Sequence, residues 1–386
     1  MIYIFLICLF AYPLIRRYKP HTHPVYYWAL CIFLILTMGF RYFVGGDTIG
    51  YMAKYEWTSP FNQLSLTDLA LAEFQPFWML LQSLCKTISE DFYVVQLFVS
   101  SFVNIAVFGV MRKYAANEFW AVFVYLLTCM LNYNCEILRA SIAIGIFFLA
   151  YEQLLSKHYI RYYLLVIVAI LFHDQAVLLL FVPFAMPFMK KSMSPVLILL
   201  LVITGIILSL PQVIALYAPY LPGERGEKFA QGYGSMEIAS ILGVVRNLIG
   251  TFLVYVLSKM NVIRDDKRLF PVFNMYFACQ LLAVGMPIFS TRVSQFFQIY
   301  YLIVLSSYIY LNKMNLMKAM IVGMWLFGVV RYYTRDVTSW VDSNKDALNR
   351  YYFYERYIPY YSIWEEPDQQ VATRRQAIAD QEMTKE

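Results

Sequence analysis

VYYWALCIFLILTMGFRYFVGGDTIGYMAKY, residues 25–55, decides how this chain is read. Its first half is apolar from Val25 to Phe40, as in a segment that crosses a bilayer. Its second half opens with Arg41 and continues through Gly45-Gly46, Asp47-Thr48 and the spaced tyrosines Tyr51 and Tyr55. A cation, a bent backbone, a carboxylate and aromatic faces thus meet where a helix leaves lipid. An arginine there can hold phosphate, an aspartate can orient or deprotonate a hydroxyl, and tyrosines can stack on sugar. The plain structural alternative is a snorkelling arginine followed by a turn and an interfacial tyrosine belt.

Outward from this stretch, apolar runs of similar length recur along all 386 residues, of which 60% are hydrophobic and only 15% charged. A soluble core of this length would need far more polar surface, so the expectation is an all-α polytopic membrane protein of about 12 transmembrane segments. The net charge of +6 matters less than where Lys and Arg fall. The six cysteines lie in or beside apolar segments without CxxC or metal-ligand spacing, and read as small core residues. Met1 leads directly into an apolar stretch ending at Arg16-Arg17, with no cleavage signature, so it is expected to be a retained span. Walker A, strand-borne GxGxxG, HExxH and fixed-period repeats are all missing from the sequence.

The basic loops set the topology. Arg16, Arg17 and Lys19 place the first loop inside, and span 25–40 then delivers Arg41 and Asp47 to the outer face. Segment 74–89 is short and carries Pro76, Gln82 and Lys86. If it crossed, Arg112-Lys113, Lys190-Lys191 and the Lys259–Arg268 cluster would all face outward. The positive-inside bias therefore favours an interfacial or re-entrant segment. The remaining spans fall near 92–111, 119–132, 137–155, 160–172, 175–189, 195–211, 237–258, 269–288, 293–311 and 317–333. Segments 160–172 and 175–189 are short, and between them His173-Asp174-Gln175 forms the tip of a helical hairpin below the outer surface. The domain reading is one transmembrane domain over 1–333 with outer loops at 41–91 and 212–236, the latter a lid or acceptor-side wall. An aromatic outer element follows at 334–364, then a polar tail at 365–386 that is expected to be disordered.

This topology, set without them, gathers Arg41, Asp47, Glu136, Arg139, His173, Asp174, Arg246, Arg292 and the Tyr357–Tyr361 cluster on one face. Ionisable groups at membrane depth usually face an interior or a watery cavity and usually have a function. Arg139 is either a diphosphate clamp, by bidentate guanidinium–phosphate geometry, or half of a local pair with Glu136 that caps a span. His173 is either a satisfied core histidine or a base or donor at the hairpin tip. Arg292 is a phosphate ligand or a snorkeller. Arg246 is the weaker candidate, since a lone intramembrane arginine can simply pair with a carboxylate. Pro359 fixes the backbone of the YIPYY cluster, whose tyrosines can line a sugar groove.

The string Arg41-x-x-Val44-Gly45-Gly46-Asp47-Thr48-x-x-Tyr51 resembles the signature of EpsG/Wzy-type polysaccharide polymerases. The block from Arg139 to Tyr159 is similar to the family's R-x-x-(I/L)-A block with a lysine-bearing turn. LFHDQA at 171–176 is similar to its F-H-x-S-A block, with Asp174-Gln175 in place of the commoner small-polar pair. Arg292 before an aromatic span and Pro359-Tyr360 also fit, so the resemblance runs from about 35 to 362. It implies a bacterial inner-membrane enzyme with a layout like that of GT-C transferases. Such an enzyme moves a growing glycan from undecaprenyl diphosphate onto a carrier-linked repeat unit at the periplasmic face.

On that reading Arg41, Arg139 and Arg292 stabilise the leaving diphosphate, with Glu136, Thr48, Tyr51, Tyr357 and Tyr360 in the substrate-binding set. His173 or Asp47 accepts the acceptor hydroxyl's proton. His173 is favoured, because a nearby guanidinium holds Asp47 ionised and weakens it as a base. No cofactor, metal or nucleic acid is implied; the partners are the lipid-linked donor and acceptor, membrane lipid, a chain-length regulator and a flippase. A lipid-linked oligosaccharide transporter stays open as an alternative. So does a glycan ligase or membrane acyltransferase using His173. Transporters place coupling groups near the midplane on symmetry-related broken helices, and neither feature is legible here.

Overall fold

The computed structural model describes residues 1–65, 74–208, 213, 241–259, 266–285, 287–334 and 352–383. The chain divides into two compact units where the sequence reading has one domain. One unit comprises residues 1–180 and 329–386, the other residues 181–328. Loop 212–236 lies almost wholly outside the described residues, as do residues 335–351.

The first unit begins with α1 (Ile2–Ile15) and α2 (Pro24–Gly39), the latter opened by a proline whose missing N–H costs nothing at a helix start. Along α2, Tyr27, Leu30, Cys31, Leu34 and Met38 form a buried stripe at helical spacing. That stripe packs on α5 (Tyr93–Tyr114), where Tyr27 donates to the Phe108 carbonyl at 2.8 Å and Ser100 to the Ile35 carbonyl at 3.0 Å. The opposite side of α2 exposes Val25, Ile32 and Leu36, the pattern of a helix whose solvent is hydrocarbon.

Beyond α2 the chain makes a two-residue strand β1 (Arg41–Tyr42) and turns into α3 (Gly46–Glu56). Segment 74–89 forms α4 (Pro76–Ile88), too short to cross a bilayer. Its Trp78, Gln82, Ser83 and Lys86 are buried while Leu84 and Ile88 are exposed. α6 (Glu118–Thr128) is capped by Asn117, whose side chain accepts from the Phe119 and Trp120 amides. One turn of π-helix (Asn132–Glu136) then leads into α7 (Leu138–Leu155), which packs on α8 (Tyr159–Phe172). Such π turns often sit at functional sites.

The second unit is built around α12 (Leu269–Leu282), almost continuously buried from Leu269 to Ala278. Around it pack α9 (Val182–Met189), α10 (Pro195–Leu208), α11 (Ile241–Ser258) and α13 (Pro287–Leu311). Asn274 donates to the Met189 and Lys191 carbonyls, and Tyr276 stacks on Tyr301 with centroids 4.7 Å apart. α14 (Leu316–Tyr333) returns the chain to the first unit. By length and composition, α5, α7 and α14 are long and apolar enough to cross a membrane; several further apolar helices are shorter.

The C-terminal segment closes the first unit. β2 (Tyr361–Ser362) pairs antiparallel with β1, Arg41 opposite Ser362 and Tyr42 opposite Tyr361. The polar tail expected to be disordered instead carries α15 (Gln369–Met383), packed on α3. The physical reason is Arg375, only 2% exposed. Its guanidinium donates to three carbonyls, of Phe43 at 2.7 Å, Pro359 at 2.7 Å and Glu355 at 3.1 Å. Arg374 adds an ion pair to Glu355 at 2.9 Å. Replacing Arg375 by Ala leaves three carbonyls without their donor, so amide exchange across 369–383 should rise toward that of an exposed helix. Unchanged protection there would show that α15 is held by other contacts.

Candidate functional site

The buried carboxylate of Glu136 organises the signature turn. Its Oε1 accepts the Gly46 amide at 3.1 Å and its Oε2 the Asp47 amide at 3.3 Å. These are the first amides of α3, which lack partners within the helix and carry the positive end of its dipole. Oε2 also takes the Arg356 guanidinium at 3.3 Å, and both side chains are 7% exposed. Gly45 permits the close approach. Its φ is +97°, and a Cβ there would stand 2.6 Å from the Cys135 carbonyl oxygen. The Gly45 amide in turn donates to the Arg356 carbonyl at 3.0 Å.

Arg41 is entirely buried, which rules out the snorkelling reading. Its Nη1 donates to the Met38 carbonyl and its Nη2 to Thr48 Oγ1 at 3.0 Å. Its Nε has no partner among the described residues. Thr48 Oγ1 donates onward to the Cys135 carbonyl at 2.6 Å, and Gln96 fixes the Arg41 carbonyl at 3.0 Å. Arg41, Thr48 and Glu136 therefore form a frame behind the turn, joined to protein groups. None of the three has a side chain presented at the surface.

Arg139 is the half-buried front of the cluster. Its Nε donates to the Tyr51 hydroxyl at 2.8 Å and its Nη1 to Gln75 Oε1 at 2.8 Å. The guanidinium lies over the Phe74 ring at 4.4 Å from the centroid, and Tyr51 packs against Phe74 and Trp78. The local pair with Glu136 is thus replaced: Glu136 takes Arg356, while Arg139 turns to α3 and the start of α4. A phenol, an amide and an aromatic face thus orient the Arg139 guanidinium.

His173 caps α8, and a 3₁₀ segment, Asp174–Phe181, begins directly after it. His173 Nδ1 lies 3.5 Å from Asp174 Oδ1 and accepts the Gln175 amide at 3.3 Å. That contact leaves the ring proton of neutral His173 on Nε2. Phe172 packs edge-on against Phe77 of α4 at 5.7 Å, so the hairpin tip and the Arg139–Gln75 contact are joined through α4. Asp47 is half-buried in the first turn of α3.

Tyr360 donates to the Thr37 carbonyl at 2.7 Å, and burial pushes its hydroxyl up to about 12. Tyr357 is 1% exposed, so neither tyrosine presents an open sugar groove. Arg292 lies exposed on α13 in the second unit. The Arg246 side chain lies outside the described residues. Arg356, Arg375 and Gln75 were not singled out in the sequence. Arg356 had a legible signal, a lone cation inside YYFYERYIPYY; Arg375, in a polar tail, had none.

Apolar helices that expose apolar side chains, around a compact cluster of guanidinium, carboxylate and phenol groups, define a helical membrane protein with a built polar site. The chain belongs to the EpsG family, whose model matches residues 25–362, and so to a broad class of polysaccharide polymerase-type proteins. No curated protein and no solved structure matches the chain.

Removing one partner from a buried ion pair costs about 3–5 kcal/mol. Arg356→Ala should therefore lower the melting temperature of the purified protein sharply, and Arg356→Met paired with Glu136→Gln should recover part of the loss. A wild-type melting temperature for Arg356→Ala would remove the pair from its framing role.

Proposed function

We propose that the protein is a polysaccharide polymerase acting at the periplasmic face of a bacterial inner membrane, with about 12 spans in a GT-C-like layout. It transfers a growing glycan from undecaprenyl diphosphate onto the sugar of a carrier-linked repeat unit. The observation that carries this reading is the family match together with the position of Arg139. The family's signature, read here from Arg41 to Tyr51, builds the frame, and Arg139 stands in front of it on Tyr51 and Gln75.

The acceptor hydroxyl oxygen attacks the donor's anomeric carbon, and the bond from that carbon to the phosphate oxygen breaks. Undecaprenyl diphosphate leaves with the electron pair. Arg139 meets the charge that develops on it, and Arg41 adds its field from behind. Removing one such donor costs about 10²–10³-fold in rate in measured precedent. Arg292 is kept as a further diphosphate ligand. The hydroxyl's proton passes to His173 or to Asp47. With Nδ1 engaged by the Gln175 amide, His173 acts as a base only through an imidazole that exchanges this contact or turns, which raises Asp47 as a contender. The reaction is written without a metal, since the guanidinium groups supply the cationic charge.

In cells lacking this protein, Arg139→Ala expressed at the wild-type level should collapse the surface-glycan ladder to a single repeat unit. An unchanged ladder would contradict a role for Arg139. Loss of all surface glycan, with repeat units trapped inside, would indicate a transporter. In a purified system the activity should survive EDTA; loss that magnesium restores would overturn the metal-free scheme.

A further inference from the structure

Glu136 and Arg139 stand three residues apart, a spacing that puts two side chains on one face of an α-helix. They go to different partners instead, Glu136 to the α3 amides and Arg356, Arg139 to Tyr51 and Gln75. The π turn before α7 makes the difference, because it holds one residue more than an α-helical turn. What keeps that extra residue at 132–136 lies outside the site.

Side chains hold the backbone of the turn. The Ile137 amide reaches back five residues to the Asn132 carbonyl at 3.1 Å. It passes over the Tyr133 carbonyl, which accepts the Ser141 hydroxyl at 2.7 Å. The Cys135 carbonyl takes the Thr48 hydroxyl, and the Met130 carbonyl, just ahead of the turn, takes Asn134 Nδ2 at 2.9 Å.

Asn134 also closes a ring with two other side chains. Asn104 Nδ2 on α5 donates to Asn134 Oδ1 at 2.8 Å, Asn134 Nδ2 donates to the Tyr125 hydroxyl on α6 at 3.2 Å, and that hydroxyl donates to Asn104 Oδ1 at 3.1 Å. Asn104 is tied further to the Ser100 carbonyl at 2.8 Å, and Ser100 itself donates to α2. None of the three ring members is more than 1% exposed. Each both donates and accepts, so losing one strands two buried polar groups in an apolar helix core. A closed network of this kind is satisfied in one arrangement only, as a buried asparagine is when it fixes the register of a coiled coil.

The structure assigns Asn104, Tyr125 and Asn134 a positioning role in the candidate site: their ring locks the π turn in register, and that register aims Glu136 at α3 and Arg139 at Tyr51 and Gln75. Without the ring the extra residue shifts along the helix, and each residue that it passes turns by about 100° about the axis. Such a turn takes the Glu136 carboxylate away from Arg356 and the Arg139 guanidinium away from Tyr51. The consequence for catalysis rests on the polymerase reading; the consequence for the Glu136–Arg356 pair does not.

The test uses the full-length protein in nanodiscs and a double-mutant cycle of melting temperatures. Asn134→Leu removes one ring member, and Tyr125→Phe removes a single hydroxyl, which keeps the test open if Asn134→Leu fails to fold. In either background the fall in melting temperature caused by Arg356→Ala should shrink to about half or less of its wild-type size. Tyr27→Phe removes an equally buried hydroxyl outside the ring, and its effect should simply add to that of Arg356→Ala. A general loss of stability would not separate the two tyrosines. Simple addition for Tyr125→Phe would overturn the proposal. In reconstituted polymerisation Tyr125→Phe should lower kcat about tenfold or more at unchanged KM, the mark of an interaction lost in the transition state. Coupling with a wild-type kcat, or an effect confined to KM, would overturn the positioning role. Coupling in a protein whose wild type does not polymerise would uphold the register lock and overturn the polymerase reading.

Discussion

The Glu136 carboxylate is the constraint on which the rest of the site depends. It accepts amides from residues 90 and 89 positions earlier and a guanidinium 220 positions later. A buried carboxylate is tolerated only when its charge is compensated and its lone pairs are filled. The start of α3 and Arg356 do both. In meeting that requirement they lock together the signature turn, the π turn and the C-terminal element. Gly45 belongs to the same constraint, because the Cys135 carbonyl leaves no room for a Cβ.

This arrangement separates two roles that one motif carries together. Arg41 and Thr48 sit in the conspicuous string, yet both are buried and joined to protein groups. They stiffen the turn and supply a field. Arg139 is half-buried and donates to the hydroxyl of the buried Tyr51. Preorganised charge of this kind stabilises a developing anion without reorganisation at the moment of reaction. The C-terminal segment completes the frame through the β1–β2 pairing and the three-carbonyl grip of Arg375.

Much of this was legible in the sequence, for identifiable reasons. Apolar runs mark helices regardless of tertiary context, so helices lie at or near most of the expected spans, and segment 74–89 carries the helix Pro76–Ile88. The family resemblance was legible from short blocks read between about 35 and 362, within the range that the EpsG family model matches. Pairing was not legible. Glu136 stands three residues from Arg139 in the sequence, but the π turn and the start of α7 direct the two side chains to different partners. The 365–386 tail failed for a related reason. Composition measures how much apolar surface a segment can bury, and α15 is held in part by one buried guanidinium bonded to backbone carbonyls.

The central claim is that this site joins lipid-linked glycans. The direct measurement is a reconstitution of the purified protein with an undecaprenyl-diphosphate-linked repeat unit as sole substrate, without nucleotide, reading product length and released undecaprenyl diphosphate together. The account predicts a ladder of repeat units with one carrier diphosphate released for each bond formed. Carrier release without lengthening, or lengthening that requires a nucleotide sugar, would contradict it.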